Sequence, residues 1–201
     1  MNTAENNSTE WCANVIIADG DYIDSVAFDL IVNFERMLGR RIPKADMARW
    51  IDCIALDGGM KPGDNATQVL FIHDKGVHAL ENFTPSDYSE DLNGKAFSDN
   101  LGEFTMTSLD VEDIVSKAQF MVDVAGAACA AKETQRIMIV PDADDGETYA
   151  RLRGALQHVD DDNKRITMFA MQPMPGGNFR QEILGYSLMS ALGIRSDEIK
   201  D

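Results

Sequence analysis

The chain has 201 residues and a formal net charge of −16, with 34 acidic residues against 18 Lys and Arg residues. This charge disfavours nucleic acid binding unless a local basic patch opposes it, and no apolar run approaches the ~20 residues that a membrane span requires. The start of the chain lacks the basic and apolar segments of a secretory signal peptide. We therefore expect a cytoplasmic protein with a flexible arm over residues 1–12 and a single domain over residues 13–201.

Apolar runs and helical stripes alternate through the first half of the chain. Residues 14–18 predict a buried strand, and apolar residues at three- and four-residue spacing from Ile23 to Leu38 predict a helix that Gly39 ends. Pro43 is predicted to open a second helix, which ends near residue 57.

The next part of the chain contains a clear strand and a segment in which the apolar residues show no regular spacing. Residues 68–73, "QVLFIH", predict a second buried strand, whereas residues 74–102 predict an irregular region with at most a weak strand or turn. Residues 103–107 alternate as an edge or third strand, and Ser108 or Asp110 is predicted to cap a long helix.

The last part of the chain returns to a regular alternation. Residues 136–140 and 165–170 predict two strands, and a helix between them is predicted to start at Asp144 or Asp145. A final helix is predicted over about 179–192. The whole order predicts a three-layer α/β/α fold with a mostly parallel central sheet of about five strands, Rossmann-like in layout.

Two acidic clusters follow predicted strands. Asp19 and Asp21 come after the first strand, and Asp142, Asp144 and Asp145 come after a later one. In parallel sheets, ligands gather outside the carboxyl ends of the strands, near the reversal of strand order. Carboxylates crowded there must take up protons or share a cation, and hard oxygen ligands suit Mg²⁺ or Mn²⁺. Helix capping is the alternative explanation for any single aspartate.

A basic segment interrupts the acidic chain between Arg36 and Lys61. Its basic side chains outnumber its acidic ones, which makes it the predicted contact for RNA if the chain binds RNA. A solvated helix face would give the same composition. A protein partner or a homo-oligomer stays open as another mode of association.

The first acidic turn resembles that of the PIN-like superfamily, most of all its NYN branch of metal-dependent ribonucleases. Those domains open with a strand, an Asp-Gly-Asp/Glu-Asn type of turn and an immediate helix. The segment "ADGDYIDSVAFDL" is similar. Asp19 matches the first metal-binding aspartate and Asp21 the acid two places on, while Tyr22 stands where Asn is usual.

The later acidic turn carries the same resemblance. The family ends a strand with Ser-Gly-Asp-x-Asp-Phe, and in "IMIVPDADDGETYARL" Asp142 and Asp144 match the two aspartates while Asp145 replaces Phe. The family also places acids at the start of the preceding helix, where Asp110 fits loosely and the second acid is displaced to Asp113. The resemblance implies a PIN-like layout of the sheet and Mg²⁺- or Mn²⁺-dependent RNA cleavage.

We assign residue roles on this basis, with Asp19 and Asp142 as the catalytic pair. Asp144 and Asp110 join them as predicted metal ligands, and the predicted supporting residues are Asp21, Asp113 and Asp145. No cofactor other than the metal is expected.

Two alternatives stay open. The first is a catalytically inactive relative that binds a partner, since the motifs depart from the family pattern and the surface is acidic. The second is a phosphatase of the haloacid dehalogenase type, which the Asp19-Gly-Asp21 sequence resembles. In that family the first aspartate is the nucleophile and the second the acid/base. That family also inserts a loop and flap before its helix, whereas the helical period here starts at once.

Overall fold

Strands and helices alternate through residues 10–159 and 162–199, which are the residues that the computed structural model describes. The strands are β1 (Asn14–Asp19), β2 (Ala45–Asp46), β3 (Asn65–Asp74), β4 (Phe83–Thr84), β5 (Ala96–Asp99), β6 (Gly102–Val111), β7 (Arg136–Val140), β8 (Arg165–Ala170) and β9 (Arg180–Ile183). The α-helices are α1 (Gly20–Leu38), α2 (Met47–Asp57), α3 (Lys117–Ala130), α4 (Gly146–Leu156) and α5 (Leu184–Ala191). A short π-helix spans Tyr88–Leu92 and a 3₁₀-helix spans Ser196–Glu198.

A seven-stranded sheet forms the middle layer, in the order β5-β6-β3-β1-β7-β8-β9. Only β5 runs antiparallel to its neighbour within this sheet, and β2 pairs with β4 in a separate two-stranded ribbon. Helices α1, α2 and α5 pack on one face of the sheet, and α3 and α4 pack on the other. The predicted three-layer α/β/α class is thus confirmed, with seven strands in place of about five.

The strands whose bounds were predicted best are buried on both faces. β7 and β8 have the predicted limits, and every residue of β1 is buried. Their apolar runs have no polar alternation because helices cover both sides of the sheet. The end of α1 is also as predicted, since Gly39 adopts φ 65° and its N–H closes the helix on the carbonyl of Glu35.

Three predicted helix starts are wrong. α2 begins at Met47 after the cap of Asp46, four residues beyond Pro43. α3 begins at Lys117, with Ser116 as its cap, because residues 108–111 continue β6 alongside β3. The final helix starts at Leu184, since Arg180–Ile183 forms the edge strand β9. For α3 the cause is clear, because Val111 was counted in the apolar stripe of the helix although it ends β6.

The predicted irregular region contains regular elements that bury few side chains. Residues 74–102 hold β4, the π-helix and β5, and the exposed residues of β5 gave no apolar period. Of the predicted arm, residues 1–9 lie outside the described residues. Its remaining part contacts the domain, because Trp11 packs against the core and the N–H of Cys12 donates to Gln68 Oε1 at 2.9 Å.

The strand order reverses at β1. The chain moves from β1 to β3 and β6 on one side, and α3 then carries it back to β7 on the other side. A crevice forms outside the carboxyl ends of the strands at such a reversal. Asp19 ends β1 and Asp142 follows β7 at this reversal. None of the helices in the described residues is long and apolar enough to cross a membrane.

Candidate functional site

The ammonium group of Lys117 lies among three carboxylates at the carboxyl ends of β1 and β3. Its Nζ is 3.2 Å from Asp19 Oδ1, 2.8 Å from Asp21 Oδ2 and 3.2 Å from Asp74 Oδ2. Burial lowers the pKa of Lys117, but the charges and hydrogen bonds of these carboxylates outweigh burial and hold that pKa above its ordinary value. Lys117 therefore carries a positive charge at neutral pH and neutralises part of the cluster.

Asp19 is the buried member of this cluster, with 1% of its surface exposed. Its Oδ1 also accepts the N–H of Tyr22 at 3.0 Å, so Asp19 caps α1 as well as pairing with Lys117. Burial raises the pKa of Asp19 to about 6, although Lys117 and the Tyr22 N–H oppose the shift. A carboxyl group with a shifted pKa in a crevice is a typical mark of a functional site, and structural ion pairs give the same mark.

Asp21 and Asp74 connect the helix start to the neighbouring strand. The backbone N–H of Asp74 donates to Asp21 Oδ2 at 2.7 Å, and the same oxygen accepts a hydrogen bond from the ammonium group of Lys117. Asp74 directly follows the buried run of β3. Lys117 thus ties the start of α3 to the ends of β1 and β3.

The aspartates after β7 bind mainly to their own turn. Asp142 Oδ1 accepts the backbone N–H groups of Asp144 and Asp145, both at 3.1 Å. Asp145 caps α4, as one of the two predicted choices, by accepting the Glu147 N–H at 3.1 Å and the Thr148 hydroxyl at 2.6 Å. These hydrogen bonds explain much of the acidic run as turn and cap geometry.

Tyr22 links the two acidic clusters. Its hydroxyl donates to Asp144 Oδ2 at 3.0 Å, and its N–H donates to Asp19. Burial and the hydrogen bond to Asp144 raise the pKa of Tyr22 above its ordinary value, so the hydroxyl stays protonated and donates. Tyr22 stands where the NYN resemblance expects Asn, and it bridges the turns after β1 and β7.

A cleft of about 230 Å³ opens between the two clusters. It is lined by Asp19, Ser116, Lys117, Ala118, Asp142, Asp145, Glu147 and Thr148. The predicted catalytic pair, Asp19 and Asp142, therefore lies on one cleft. The lysine lies there too.

Two predicted residues lie elsewhere. Asp110 is near the end of β6, two strands from β1, and lines a separate hollow with Glu112, Ile114, Val115 and Phe120. Asp113 is on the surface, where its carboxylate pairs with Lys75 at 2.8 Å. The structure does not bring Asp110 or Asp113 to the cleft because α3 starts later than predicted.

The present hydrogen-bond partners of the predicted ligands decide whether these carboxylates fit a metal ion. Across residues 10–159 and 162–199, no group of three His, Cys, Asp or Glu side chains is arranged to hold a metal ion. The Asp142 carboxylate accepts a backbone N–H group and the Asp144 carboxylate accepts the Tyr22 hydroxyl. The Asp19 carboxylate is paired with the ammonium group of Lys117. The predicted ligands Asp19, Asp142, Asp144 and Asp110 therefore do not form a fitting set in this arrangement.

Sequence reasoning missed three side chains of the site: Lys117, Asp74 and Tyr22. Asp74 could have been found, since it follows a buried strand just as Asp19 and Asp142 do. Lys117 carried only the weak signal of a basic residue after a possible serine cap. The contact between Tyr22 and Asp144 spans 122 residues of sequence and gave no local signal.

The basic segment from Arg36 to Lys61 is only partly available to a ligand. Arg40 forms a bidentate pair with Glu198, with both nitrogen–oxygen distances at 2.8 Å, and Arg49 Nε donates to Ser190 at 3.1 Å. Arg36, Arg41, Lys44 and Lys61 are exposed. RNA contact through this segment stays a prediction.

Comparison with known proteins gives a family but no activity. No curated protein and no solved structure matches the chain. One family model matches residues 8–199, and its description is a family of unknown function. The match spans most of the 201 residues, so the chain belongs to this family of unknown function, DUF6621.

Proposed function

We propose that the chain is a non-catalytic binding protein on a PIN-like scaffold, which recognises a basic segment of a partner protein through the acidic crevice. The observation that carries this proposal is the contact of Lys117 with Asp19, Asp21 and Asp74, at 2.8–3.2 Å. In the NYN resemblance, acids begin the helix before the later strand, and a metal supplies the positive charge. Here the first turn of α3 has no acidic residue, and Lys117 begins the helix.

The lysine gives the cluster a structural role. Its ammonium group satisfies carboxylates that would otherwise repel one another, and no metal is required to hold them together. Three acids at the rim of the cleft, Asp144, Asp145 and Glu147, are exposed, although Asp144 accepts the Tyr22 hydroxyl and Glu147 pairs with Arg151. Together with the net charge of −16, they favour a partner that brings Lys or Arg side chains.

Binding is tested with a fluorescently labelled Lys/Arg-rich peptide, followed by anisotropy at low salt, with an acidic peptide of equal length as the control ligand. We expect Glu147→Gln and Asp144→Asn each to lower the affinity for the basic peptide about threefold, the effect of losing an exposed charge pair. Asp197→Asn is the matched control, because Asp197 pairs with Arg195 on the surface outside the cleft. Equal effects of all three variants would contradict recognition at the crevice.

The absence of catalysis is tested with labelled single-stranded RNA in the presence of Mn²⁺. We expect equal background cleavage by the unmodified chain, Asp19→Asn and Asp142→Asn. Cleavage that both substitutions abolish would overturn the non-catalytic proposal.

RNA cleavage that both substitutions abolish would support the second candidate, a metal-dependent ribonuclease or phosphodiesterase. The observation in its favour is that Asp19 and Asp142 line one cleft at the reversal of strand order. It requires Lys117 to leave Asp19. Stoichiometric Mn²⁺ binding measured by calorimetry, and lost in Asp19→Asn, separates this candidate from the binding protein.

One observation favours a phosphatase of the haloacid dehalogenase type: Lys117 contacts both Asp19 and Asp21. Against it, α1 starts at Gly20 directly after Asp19, which leaves no intervening loop and flap. Trapping of a phosphoaspartate at Asp19 with a reactive phosphate ester would support this alternative, and failure with several such esters would dismiss it.

A further inference from the structure

Three arginines begin three neighbouring strands at the opposite end of the sheet from the acidic crevice. Arg136, Arg165 and Arg180 are the first residues of β7, β8 and β9. Arg136 is paired in register with Arg165, and Arg180 is paired with Thr167, two residues along β8. Register partners and residues two apart share one face of a sheet, so the three guanidinium groups leave the sheet on the same side.

That side is the one covered by α2. Arg136 Nε donates to the carbonyl of Gly58, which caps the end of α2, at 3.0 Å. Arg180 lies next to Gly59, because a Cβ added at that glycine would be 3.8 Å from Arg180 Nη1. The arginines therefore line a cleft between the amino ends of the strands and the carboxyl end of α2.

Two adjoining clefts, of about 480 and about 470 Å³, share Arg136, Lys164 and Arg165 in their walls. Lys132 lines the first and Arg180 the second. Among the described residues that line these clefts, the acidic one is Asp162, which is exposed. Five basic side chains thus converge in a chain that has only 18 of them against 34 acids.

Within the part of the chain that the structure describes, most of these cations have no carboxylate partner. Arg136 binds the Gly58 carbonyl and Asn14 Oδ1, and Lys164 binds the carbonyls of Ala131 and Thr134, so both have neutral acceptors. Arg180 pairs with Glu182 at 2.7 Å.

The side chains of Arg165 and Lys132 have no hydrogen bond or ion pair with any residue in the described ranges. Burial and the charge of Arg165 both lower the pKa of Arg136. Positive charges held close together without acids are unfavourable unless an anion joins them.

We propose that this cationic cleft binds a small molecule that carries a phosphate group. Guanidinium groups match phosphate oxygens in two-point hydrogen bonds, and none of the described residues occupies the side-chain donors of Arg165. The cleft volumes lie in the range of about 300–1,000 Å³ that is usual for small-molecule sites. Gly58, Gly59 and Thr167 also line the second cleft, and Thr167 lies two residues from Arg165 on the same face of β8, where the remainder of the ligand packs.

The shape and charge of the surroundings favour a small ligand over nucleic acid. The five basic residues that line the two clefts form one group near the amino ends of β7, β8 and β9. A longer polyanion would run from this group onto a surface that gives the chain its net charge of −16, where repulsion opposes it. This inference concerns the amino ends of the strands and does not depend on the function of the acidic crevice.

Calorimetry with pyrophosphate and with ATP, in metal-free buffer at about 50 mM NaCl, tests the proposal on the full chain. We expect one ligand per chain, with Arg165→Ala weakening binding about tenfold, as for loss of a charge-assisted hydrogen bond. Arg165→Lys keeps the charge but loses the two-point geometry, so we expect an intermediate affinity. Arg165 is exposed, and circular dichroism verifies that each variant is folded.

Arg41→Ala is the matched control, since Arg41 is also exposed and lies outside both clefts. Unchanged binding by this variant supports the cleft. No binding of either probe up to about 5 mM, or equal weakening by Arg41→Ala and Arg165→Ala, would overturn the site. An RNA oligonucleotide that binds more tightly than ATP and depends on Arg165 would overturn the small-molecule assignment.

Discussion

Lys117 is the residue on which the acidic crevice depends. Its side chain is 22% exposed and contacts Asp19, whose side chain is 2% exposed. Taking a carboxylate out of water is costly unless an opposite charge or hydrogen bonds compensate it, and the removal of one partner leaves the other charge buried. Lys117 therefore has a stabilising role that a surface lysine does not have.

We expect Lys117→Ala to lower the free energy of unfolding at pH 7 by about 2–4 kcal/mol, a little less than the loss of one partner from a fully buried pair, because Lys117 is partly exposed. Lys75→Ala is the control. Lys75 and its partner Asp113 are 58% and 80% exposed, so we expect a loss below about 1 kcal/mol. Urea unfolding of the three proteins measures both effects, and equal losses would mean that Lys117 acts as an ordinary surface charge.

Asp19 makes the effect of Lys117→Ala depend on pH. Burial raises the pKa of Asp19 from 3.8 to about 6 in the folded chain. The folded state thus holds this proton more tightly than the unfolded state. The contribution of Asp19 to the unfolding free energy is greatest below about pH 4 and is lost as the pH rises through about 6.

The loss of Lys117 raises that pKa further. We therefore expect Lys117→Ala to be more destabilising at about pH 8, where Asp19 is forced to ionise, than at about pH 5, where it takes a proton. Asp19→Asn in the Lys117→Ala background should remove most of this difference. A penalty that is the same at both pH values would exclude Asp19 as its source.

At the scale of elements, the direct passage from β1 into α1 depends on Gly20. A Cβ at this position would lie 2.1 Å from the hydroxyl oxygen of Tyr88. Tyr88 is 2% exposed and stacks on His73, with ring centroids 3.9 Å apart. The start of α1 can therefore pack against the π-helix only because residue 20 has no side chain.

We expect Gly20→Ala to lower the free energy of unfolding by about 1–3 kcal/mol through overpacking, although Ala favours a helix over Gly by about 1 kcal/mol. The control is Gly126→Ala in α3, where a Cβ meets nothing within 4 Å. We expect that change to stabilise the protein by about 0.5–1 kcal/mol. Thermal and urea unfolding of both variants give the comparison.

The hydroxyl of Tyr88 offers a second check on this contact. It is buried without a hydrogen-bond partner among the described residues, so Tyr88→Phe removes an unsatisfied group and should cost little by itself. In the Gly20→Ala background it should restore part of the lost stability. No recovery would place the strain of Gly20→Ala elsewhere.

The elements that the sequence predicted well are those whose burial is uniform. β7 and β8 are apolar runs covered on both faces, and their limits follow from that pattern alone. α3 could not be placed the same way. Val111 ends β6 but fits a helical stripe, and Asp110 has the residue type of a cap. Pairing of β6 with β3 outweighed this local preference, and local sequence carries no record of such pairing.

The candidate site shows the same division. The aspartates at the ends of β1 and β7 were predicted because position after a buried strand is a local property. The partner of Asp19 was not, since Lys117 reaches it across 98 positions of the chain, from residue 19 to residue 117. Residue type and spacing suggested a metal among the carboxylates. Only the packing of α3 against β1 revealed a lysine there.

Across the whole molecule, the two ends of the sheet differ in charge. Carboxylates crowd the carboxyl ends of β1, β3 and β7, and basic side chains crowd the amino ends of β7, β8 and β9. With a net charge of −16, we expect repulsion among the acids to exceed the attraction between these ends. Self-repulsion should therefore limit the stability of the folded chain at low ionic strength.

We expect the midpoint of thermal unfolding at pH 7 to rise by about 2–4 °C between about 10 mM and about 200 mM NaCl, an increase of about 1 kcal/mol in stability. The Debye length falls from about 30 Å to below about 10 Å over this range, which screens repulsion between distant acids while the close contacts of Lys117 change less. Chloride is used because phosphate would also enter the cationic cleft. At pH 5, where partial protonation lowers the negative charge, we expect a smaller rise. A midpoint that falls with salt at pH 7 would mean that specific ion pairs, and not net repulsion, dominate the electrostatic free energy of this fold.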